Sequence, residues 1–513
     1  MHQRVRLSPW RWLVAILALA AIGWALWGLR AGTAPLEIER FEVGQTPATL
    51  YRLPGAAPAP AVVVAHGFAG SRQLMEPFSV TLARAGYLVV AFDFEGHGRN
   101  PTRMGDVRDL EGVRDALIAE TERVAAVART LEGADGRVAL LGHSMATAVI
   151  VPAAVDNPEI AATVAVSMST EAITPTEPPN LLVIVGALEE FPRDQGLTAE
   201  ALEAVALATG GEAVEGQTYR LAPDNARRAV FSDGVEHVGV LYSRESVTEA
   251  LSWLDMVFKR PSSAPYLDVR GPEILVLLGG IVALGWPLAA LLPRLAVPAP
   301  RTRARWRRFL PRALLPAVAT PLLLWPIDVR FLPVLVADYL AMHFALYGLI
   351  TALILWYDGT LANRPRAPLL AVLGAGAAMA LWTTGVLGLA LDAWVASFWP
   401  HTGRAALIAV LFLGTLAYLL TDEWLTRSPE APRGAYAATK LAMLVSLVLA
   451  IVLNVDRLFF LAIIMPVVVL FFLLYGLFSA WAYRATGHPG VGGVANALAF
   501  AWALGVTFPL IGA

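Results

Sequence analysis

The sequence predicts two architectures in one chain: an α/β domain with a mostly parallel sheet, and an all-α multi-span transmembrane domain. Three observations carry this. Mean hydropathy is +0.59 and 57% of the 513 residues are hydrophobic, too apolar for a wholly water-exposed chain of this length. Between residues 31 and 272, short β-branched runs alternate with amphipathic stretches, the pattern of parallel strands joined by helical crossovers. From residue 273 onward, about eight apolar runs approach the ~20 residues a bilayer requires. The domains are therefore 1–30, an N-terminal transmembrane helix; 31–272, the α/β domain; and 273–513, the membrane domain.

Charge divides along the same lines. Residues 31–272 hold 32 acidic and 19 basic side chains, net −13, and the remainder holds 9 and 20, net +11, together the chain's −2. The basic excess lies in short loops between apolar runs, which argues against a nucleic-acid partner. No cysteine is present, which excludes disulfides, thiolate catalysis and zinc–thiolate sites. Lys259 and Lys440 are the only lysines against 37 arginines, a genomic bias rather than a functional signal.

Met1–Trp12 carries Arg4, Arg6 and Arg11, and Leu13–Leu29 is uncharged. The run is long and no clear Ala-x-Ala site follows it, so an uncleaved helix is expected, with its N-terminus cytoplasmic. In the α/β domain, Leu36–Val43 and Ala48–Leu53 read as a strand pair. Ala61–Ala65, Tyr87–Phe92, Val138–Leu141, Ala162–Ser167, Leu181–Val185 and Ala229–Ser232 read as further strands. Gln73–Ala85, Leu110–Leu131, a segment opening at Ser144, Thr198–Ala208 and Ser243–Phe258 read as helices. Such sheets place their chemistry at the carboxyl ends of the strands.

The later apolar runs are approximately 274–293, 309–327, 331–357, 367–391, 404–421, 438–454, 458–482 and 494–511. Arg294–Arg308 contains six arginines and no acid, as a cytoplasmic loop should. Arg364, Arg366, Arg427, Arg433, Lys440 and Arg484 fall in the later loops of the same side, and the opposite segments have few cations. One topology accommodates them all: nine spans, the α/β domain extracytoplasmic, the C-terminus outside. Tryptophans and tyrosines at the span ends form an interfacial belt. Asp338 and His343 lie inside one span on different faces, which favours interhelical polar contacts over a proton relay.

The chemistry centres on Val138-Ala-Leu-Leu-Gly142-His-Ser144-Met-Ala-Thr-Ala148. A strand, a sharp turn and a helix would lift the Ser144 hydroxyl out of the sheet, with the small residues Gly142 and Ala146 flanking it. A serine needs a base, an acid to orient that base, and donors for an oxyanion. Of His66, His97, His143 and His237, only His237 follows both the serine and a suitable acid in the chain order this turn requires. Glu189, past the end of strand Leu181–Val185, is the favoured acid, with adjacent Glu190 as the alternative and Asp194 as a third choice. The Met145 amide and the Phe68 amide in His66-Gly-Phe-Ala-Gly-Ser71 are the expected oxyanion donors, and His66 is expected to brace that loop. Tyr219, Arg227 and Arg228 are possible substrate contacts.

These pieces, with Asp93-Phe-Glu-Gly96-His-Gly98, resemble the α/β-hydrolase family across about 220 residues, near its dienelactone-hydrolase and carboxylesterase branches. The resemblance implies an α/β-hydrolase fold and a serine hydrolase of esterase or peptidase type, with Asp93 and Gly96 shaping a turn. Ala146 departs from the usual glycine and Glu189 from the usual aspartate. The membrane domain resembles no recognised family. A large cap domain does not fit between the strands at Ala162 and Leu181.

The expected activity is cleavage of an ester, thioester or amide through an acyl-enzyme, on an acyl-containing small-molecule or lipid substrate. The machinery requires no metal or organic cofactor. An acyltransferase with the same three residues, and a transport or scaffold protein with a non-catalytic hydrolase domain, are the rival readings.

Overall fold

The computed structural model describes residues 8–168, 170, 172–189, 196–260, 266–298, 302, 305–362 and 365–512. The chain forms two compact units. One comprises Trp24–Leu275 with two later stretches, Leu391–Ser397 and Pro509–Ala513; the other comprises Met1–Gly23, Val276–Ala390 and Phe398–Phe508. Helix α1 (Pro9–Thr33) runs from the second unit into the first.

In the first unit, β1 (Glu37–Val43) and β2 (Thr46–Arg52) form a hairpin, followed by β3 (Ala59–Ala65), α2 (Glu76–Arg84), β4 (Leu88–Phe92), α3 (Leu110–Thr130) and β5 (Ala134–His143). Then come α4 (Thr147–Asp156), β6 (Ile160–Val166), β7 (Leu181–Gly186), α5 (Gly196–Thr209), β8 (Tyr219–Ala222), β9 (Asn225–Ser232) and α6 (Arg244–Phe258). The nine strands make one sheet in the order β1-β2-β4-β3-β5-β6-β7-β9-β8. Strands β3, β4, β5, β6, β7 and β9 are mutually parallel, while β1, β2 and β8 pair antiparallel at the two edges.

A sheet covered on both faces needs strands apolar at every position, and β3 meets that demand. Ala61, Val63 and Ala65 pack into a core with Leu117 and Val124 of α3 and Ile150 of α4. Val62 and Val64 point the other way, into a core with Phe78 of α2 and Leu251 and Leu254 of α6. Every residue of β3 is buried, so the β-branched run satisfies strand geometry and both cores at once. Two caps fix the crossovers: the Asp109 side chain accepts from the Gly112 amide at the start of α3, and Ser243 accepts from Ser246 at the start of α6.

The expected elements appear with modest boundary shifts. Strand β8 was not expected; its four residues are too few and too polar to signal a strand, and it forms by pairing with the edge of β9. The stretch between β7 and β9 holds α5 and β8, and no large insertion separates β6 from β7.

The second unit contains α7 (Gly271–Ala289, from Val276 on), α8 (Trp306–Leu324), α9 (Ala337–Tyr357), α10 (Leu369–Ala380) and the part of α11 (Leu387–Trp394) up to Ala390. It continues with α12 (Ala405–Thr426), α13 (Ala435–Leu453), α14 (Val455–Thr486) and α15 (Pro489–Thr507). Among the described residues, eight helical stretches are long and apolar enough to cross a membrane: α1, α7, the continuous 369–394 stretch containing α10 and α11, α9, and α12 to α15. This fits a membrane domain. The expected span at 309–327 forms α8, which falls outside that set because Arg307, Arg308 and Arg312 and three internal prolines lie along it. Small residues let α9 and α12 approach closely: a Cβ at Gly348 would strike the Ala417 backbone, and one at Gly414 the Ala341 backbone. His343 makes the expected interhelical contact, with Nε2 3.0 Å from Ser446 Oγ of α13. Asp338 instead accepts from the Phe331 amide, ahead of its helix, and from the Tyr339 amide in that helix's first turn.

Candidate active site

Six parallel strands end at one edge of the sheet, and the loops leaving them carry every residue of the site. Register brings those loops together: Ala65 of β3 pairs with Gly142 of β5, His143 with Val166 of β6, and Gly186 of β7 with Ser232 of β9. Ser144 follows β5 with φ of +55°, the left-handed region that non-glycine residues rarely occupy. That turn lifts its side chain out of the sheet before α4 begins. The small neighbours have a visible reason: a Cβ at Gly142 would sit 2.9 Å from Ile150 Cδ1 and 3.0 Å from the Ala146 Cβ.

The structure brings Ser144, His237 and Glu189 into one hydrogen-bonded chain. Ser144 Oγ lies 2.9 Å from His237 Nε2, and His237 Nδ1 lies 2.6 Å from Glu189 Oε2. A carboxylate only accepts, so Nδ1 carries the proton and Nε2 is left to accept from the serine hydroxyl. The other carboxylate oxygen, Oε1, accepts from the Gly186 amide at 2.6 Å and from Ser167 Oγ at 2.8 Å. Burial by itself would raise the Glu189 pKa; the hydrogen bonds from His237, Gly186 and Ser167 outweigh it and hold the group below the usual carboxylate range. Glu189 is thus an ionised, buried acceptor beside a His237 side chain that is 45% exposed. Glu190 and Asp194 lie outside the described residues.

His66 and His143 are braces. The His66 Nε2 accepts from the Phe94 amide at 3.1 Å, which leaves Nδ1 to donate to the Gly67 carbonyl at 2.8 Å. Burial drives the His66 pKa down to about 4, so it remains neutral. His143, expected only to point away from the nucleophile, does more: its Nε2 donates to the His237 carbonyl oxygen at 2.8 Å. Burial, with the neighbouring His237 ring adding to it, lowers the His143 pKa to about 3. Ser167, one residue past β6 at φ +53°, was also not singled out from the sequence.

Met145 follows Ser144 in the chain, and Phe68 follows Gly67 in the loop after β3. Met145 is the second residue of the helical turn that Ser144 opens, in the first turn where amides lack intrahelical partners. Gly67 passes so close that a Cβ there would sit 3.1 Å from Ser144 Cβ and 3.0 Å from His143 Nδ1. Asp93 holds the base of this loop, accepting from the Arg72 and Arg99 amides at 2.9 and 3.0 Å and pairing with the Arg72 guanidinium. Tyr219, Arg227 and Arg228 are occupied elsewhere. The Tyr219 hydroxyl accepts from the Val214 amide, buried Arg227 donates to the carbonyls of Ala204, Thr174 and Glu177, and Arg228 pairs with Glu249.

Residues 56–191 match the family described as serine aminopeptidase, S33. That stretch runs from the start of β3 past Ser144 to Glu189. The first unit has an α/β-hydrolase fold. Solved structures similar to this chain include a CIB-like hydrolase from Thermoplasma acidophilum, at 18% identity, covering 43% of this chain and 97% of that one, with a TM-score of 0.33. A protein described as a dienelactone hydrolase from Klebsiella pneumoniae is also 18% identical, covering 44% and 99%, with a TM-score of 0.33. A search of the curated proteins finds no match to this chain. The family matched over residues 56–191 supports a hydrolytic function.

Proposed function

We propose that this chain is a membrane-bound serine hydrolase that cleaves an ester, thioester or amide through an acyl-enzyme. Ser144 is the nucleophile, His237 the general base and then general acid, and Glu189 the group that fixes the imidazole. The observation carrying this is the unbroken run of hydrogen bonds from Ser144 Oγ through His237 to Glu189.

As Ser144 Oγ bonds to the acyl carbon, its proton passes to His237 Nε2, and the carbonyl π electrons move onto oxygen. Glu189 stabilises the imidazolium without taking its proton. The Phe68 and Met145 amides receive the oxyanion, each donor being worth ~3 kcal/mol in such sites. His237 then protonates the leaving oxygen, sulfur or nitrogen as its bond to carbon breaks. Water, deprotonated by the same imidazole, releases the acid and restores Ser144. The family description names an aminopeptidase, and this sequence of proton transfers serves an amide as well as an ester.

The substrate we favour is lipidic or membrane-associated, met on the extracytoplasmic side of the cell membrane. Two large apolar side chains flank the site in sequence: Leu188, 62% exposed, beside Glu189, and Val238, 49% exposed, beside His237. Exposed apolar groups at a reactive rim suit an acyl chain. The test is to profile the intact protein beside Ser144→Ala with esters, thioesters and amides of increasing acyl length, free and in vesicles. The proposal expects turnover that Ser144→Ala abolishes and that rises with chain length. Turnover retained in Ser144→Ala contradicts it.

A further inference from the structure

Two short stretches from the far end of the sequence are part of the hydrolase unit: Leu391–Ser397 and Pro509–Ala513. The first bonds directly to the loop that follows β3. Its Ser397 amide donates to Ser71 Oγ at 2.9 Å, and Ser397 Oγ lies 3.1 Å from Gln73 Nε2 and 3.2 Å from Gln73 Oε1. Gln73 Nε2 also reaches the Asp392 carbonyl at 3.3 Å. Ser71, Gln73 and Ser397 are all buried, so these bonds form away from competing water.

A second route ends on the same loop. The Asp392 carboxylate pairs with Arg99 Nη2 at 2.5 Å, and the Arg99 amide donates to Asp93. Asp93 in turn holds both the amide and the guanidinium of Arg72. The turn bearing Arg99 is itself tied by the other stretch: Leu510 donates to the Gly96 carbonyl and accepts from the Met104 amide, both at 2.9 Å. Residues three to five places beyond Phe68 are thus fixed by side chains and amides some 300 positions later in the chain.

We infer that Asp392 and Ser397 are positioning residues of the hydrolase site, holding the loop that carries the Phe68 amide at the distance an oxyanion requires. This rests on the reading of Ser144 as the nucleophile and of Phe68 as an oxyanion donor. The loop's internal Gly67–Gly70 backbone bond and the His66 brace fix its start, while Ser71 to Gln73 are anchored on Asp93 and on the 391–397 stretch. A displacement of about 1 Å at a catalytic group can cost as much as ~100-fold in rate, so a small relaxation here is measurable.

The test uses the full-length protein with a short, water-soluble activated ester, and counts reactive sites by fluorophosphonate titration. Ser397→Pro removes the amide donated to Ser71, Asp392→Ala removes the partner of Arg99, and Asp392→Glu keeps the charge. The inference expects kcat per titrated site to fall about tenfold or more in Ser397→Pro and Asp392→Ala, with KM changed less than about twofold, and partial recovery in Asp392→Glu. A merely structural role would lower the number of titratable sites and leave kcat per site unchanged, which overturns the inference. Unchanged kcat in the fully titratable variants overturns it as well. A wild-type protein inert to both probe and ester would instead remove the hydrolase reading, and this inference with it.

Discussion

His143 Nε2 donates to the carbonyl oxygen of His237 across 2.8 Å, so the residue preceding the proposed nucleophile holds the backbone of the proposed base. The two rings lie 4.9 Å apart, and the bond ties the turn after β5 to the loop after β9. His143→Ala should therefore lower kcat by about tenfold through misplacement of the imidazole, and His143→Gln, which can still donate, should recover part of the loss. Steady-state kinetics on the three proteins check this; equal loss in both variants would count against the bond as the cause.

The same histidine makes stability depend on pH. His66 and His143 are held neutral, with pKa values lowered to about 4 and about 3 by burial. A histidine depressed in the folded state contributes stability that is complete above its unfolded value of ~6.5 and is lost as pH falls toward the folded value. Glu120 works in the opposite sense, since burial raises its pKa to about 7. The clean quantity is thus a difference: denaturation of His143→Gln should show a shallower loss of stability between pH 6.5 and 3 than the wild type. Parallel curves would contradict the buried neutral imidazole.

Glu189→Gln should be severe. Oε2 faces the His237 Nδ1 proton and Oε1 faces two donors, Gly186 and Ser167, so an amide NH2 meets a donor in either orientation. Loss of kcat of about 10³–10⁴ is expected, by analogy with acid-to-amide changes in such hydrogen-bonded chains. Ser167→Ala removes only one of the donors to Oε1 and should cost about tenfold or less. Kinetics with active-site titration separate the two.

Gly96→Ala should lower stability by a few kcal/mol, about 1–3, because φ is +76° and a Cβ would sit 2.6 Å from the Leu510 carbonyl oxygen. Gly44→Ala is the control: φ is also positive at +64°, but nothing lies within 4 Å. Thermal unfolding should put Gly96→Ala well below Gly44→Ala; equal melting temperatures would show that the Leu510 contact contributes little.

Much of the site was legible because its chemistry is ordered along the chain. Ser144 stands out by its strand–turn–helix setting, and His237 by being the histidine that follows both serine and acid. Glu189 is visible as a carboxylate three residues past the glycine ending β7. The supporting contacts were not legible, for a physical reason. Ser167 and His143 act through hydrogen bonds set by strand register, which relates residues 22 and 94 positions apart and leaves no local pattern. Arg227, an apparent candidate for substrate, is consumed by three backbone carbonyls that only the folded loop brings together. The 391–397 stretch lies among apolar runs, and nothing in its composition assigns it to the first unit.

The most direct measurement is the mass of the intact protein after exposure to a fluorophosphonate, with the modified residue located by peptide sequencing. The account predicts one adduct per chain, on Ser144, absent in Ser144→Ala and formed far more slowly in His237→Ala. A folded protein that gains no adduct, or gains one that persists in Ser144→Ala, would contradict it.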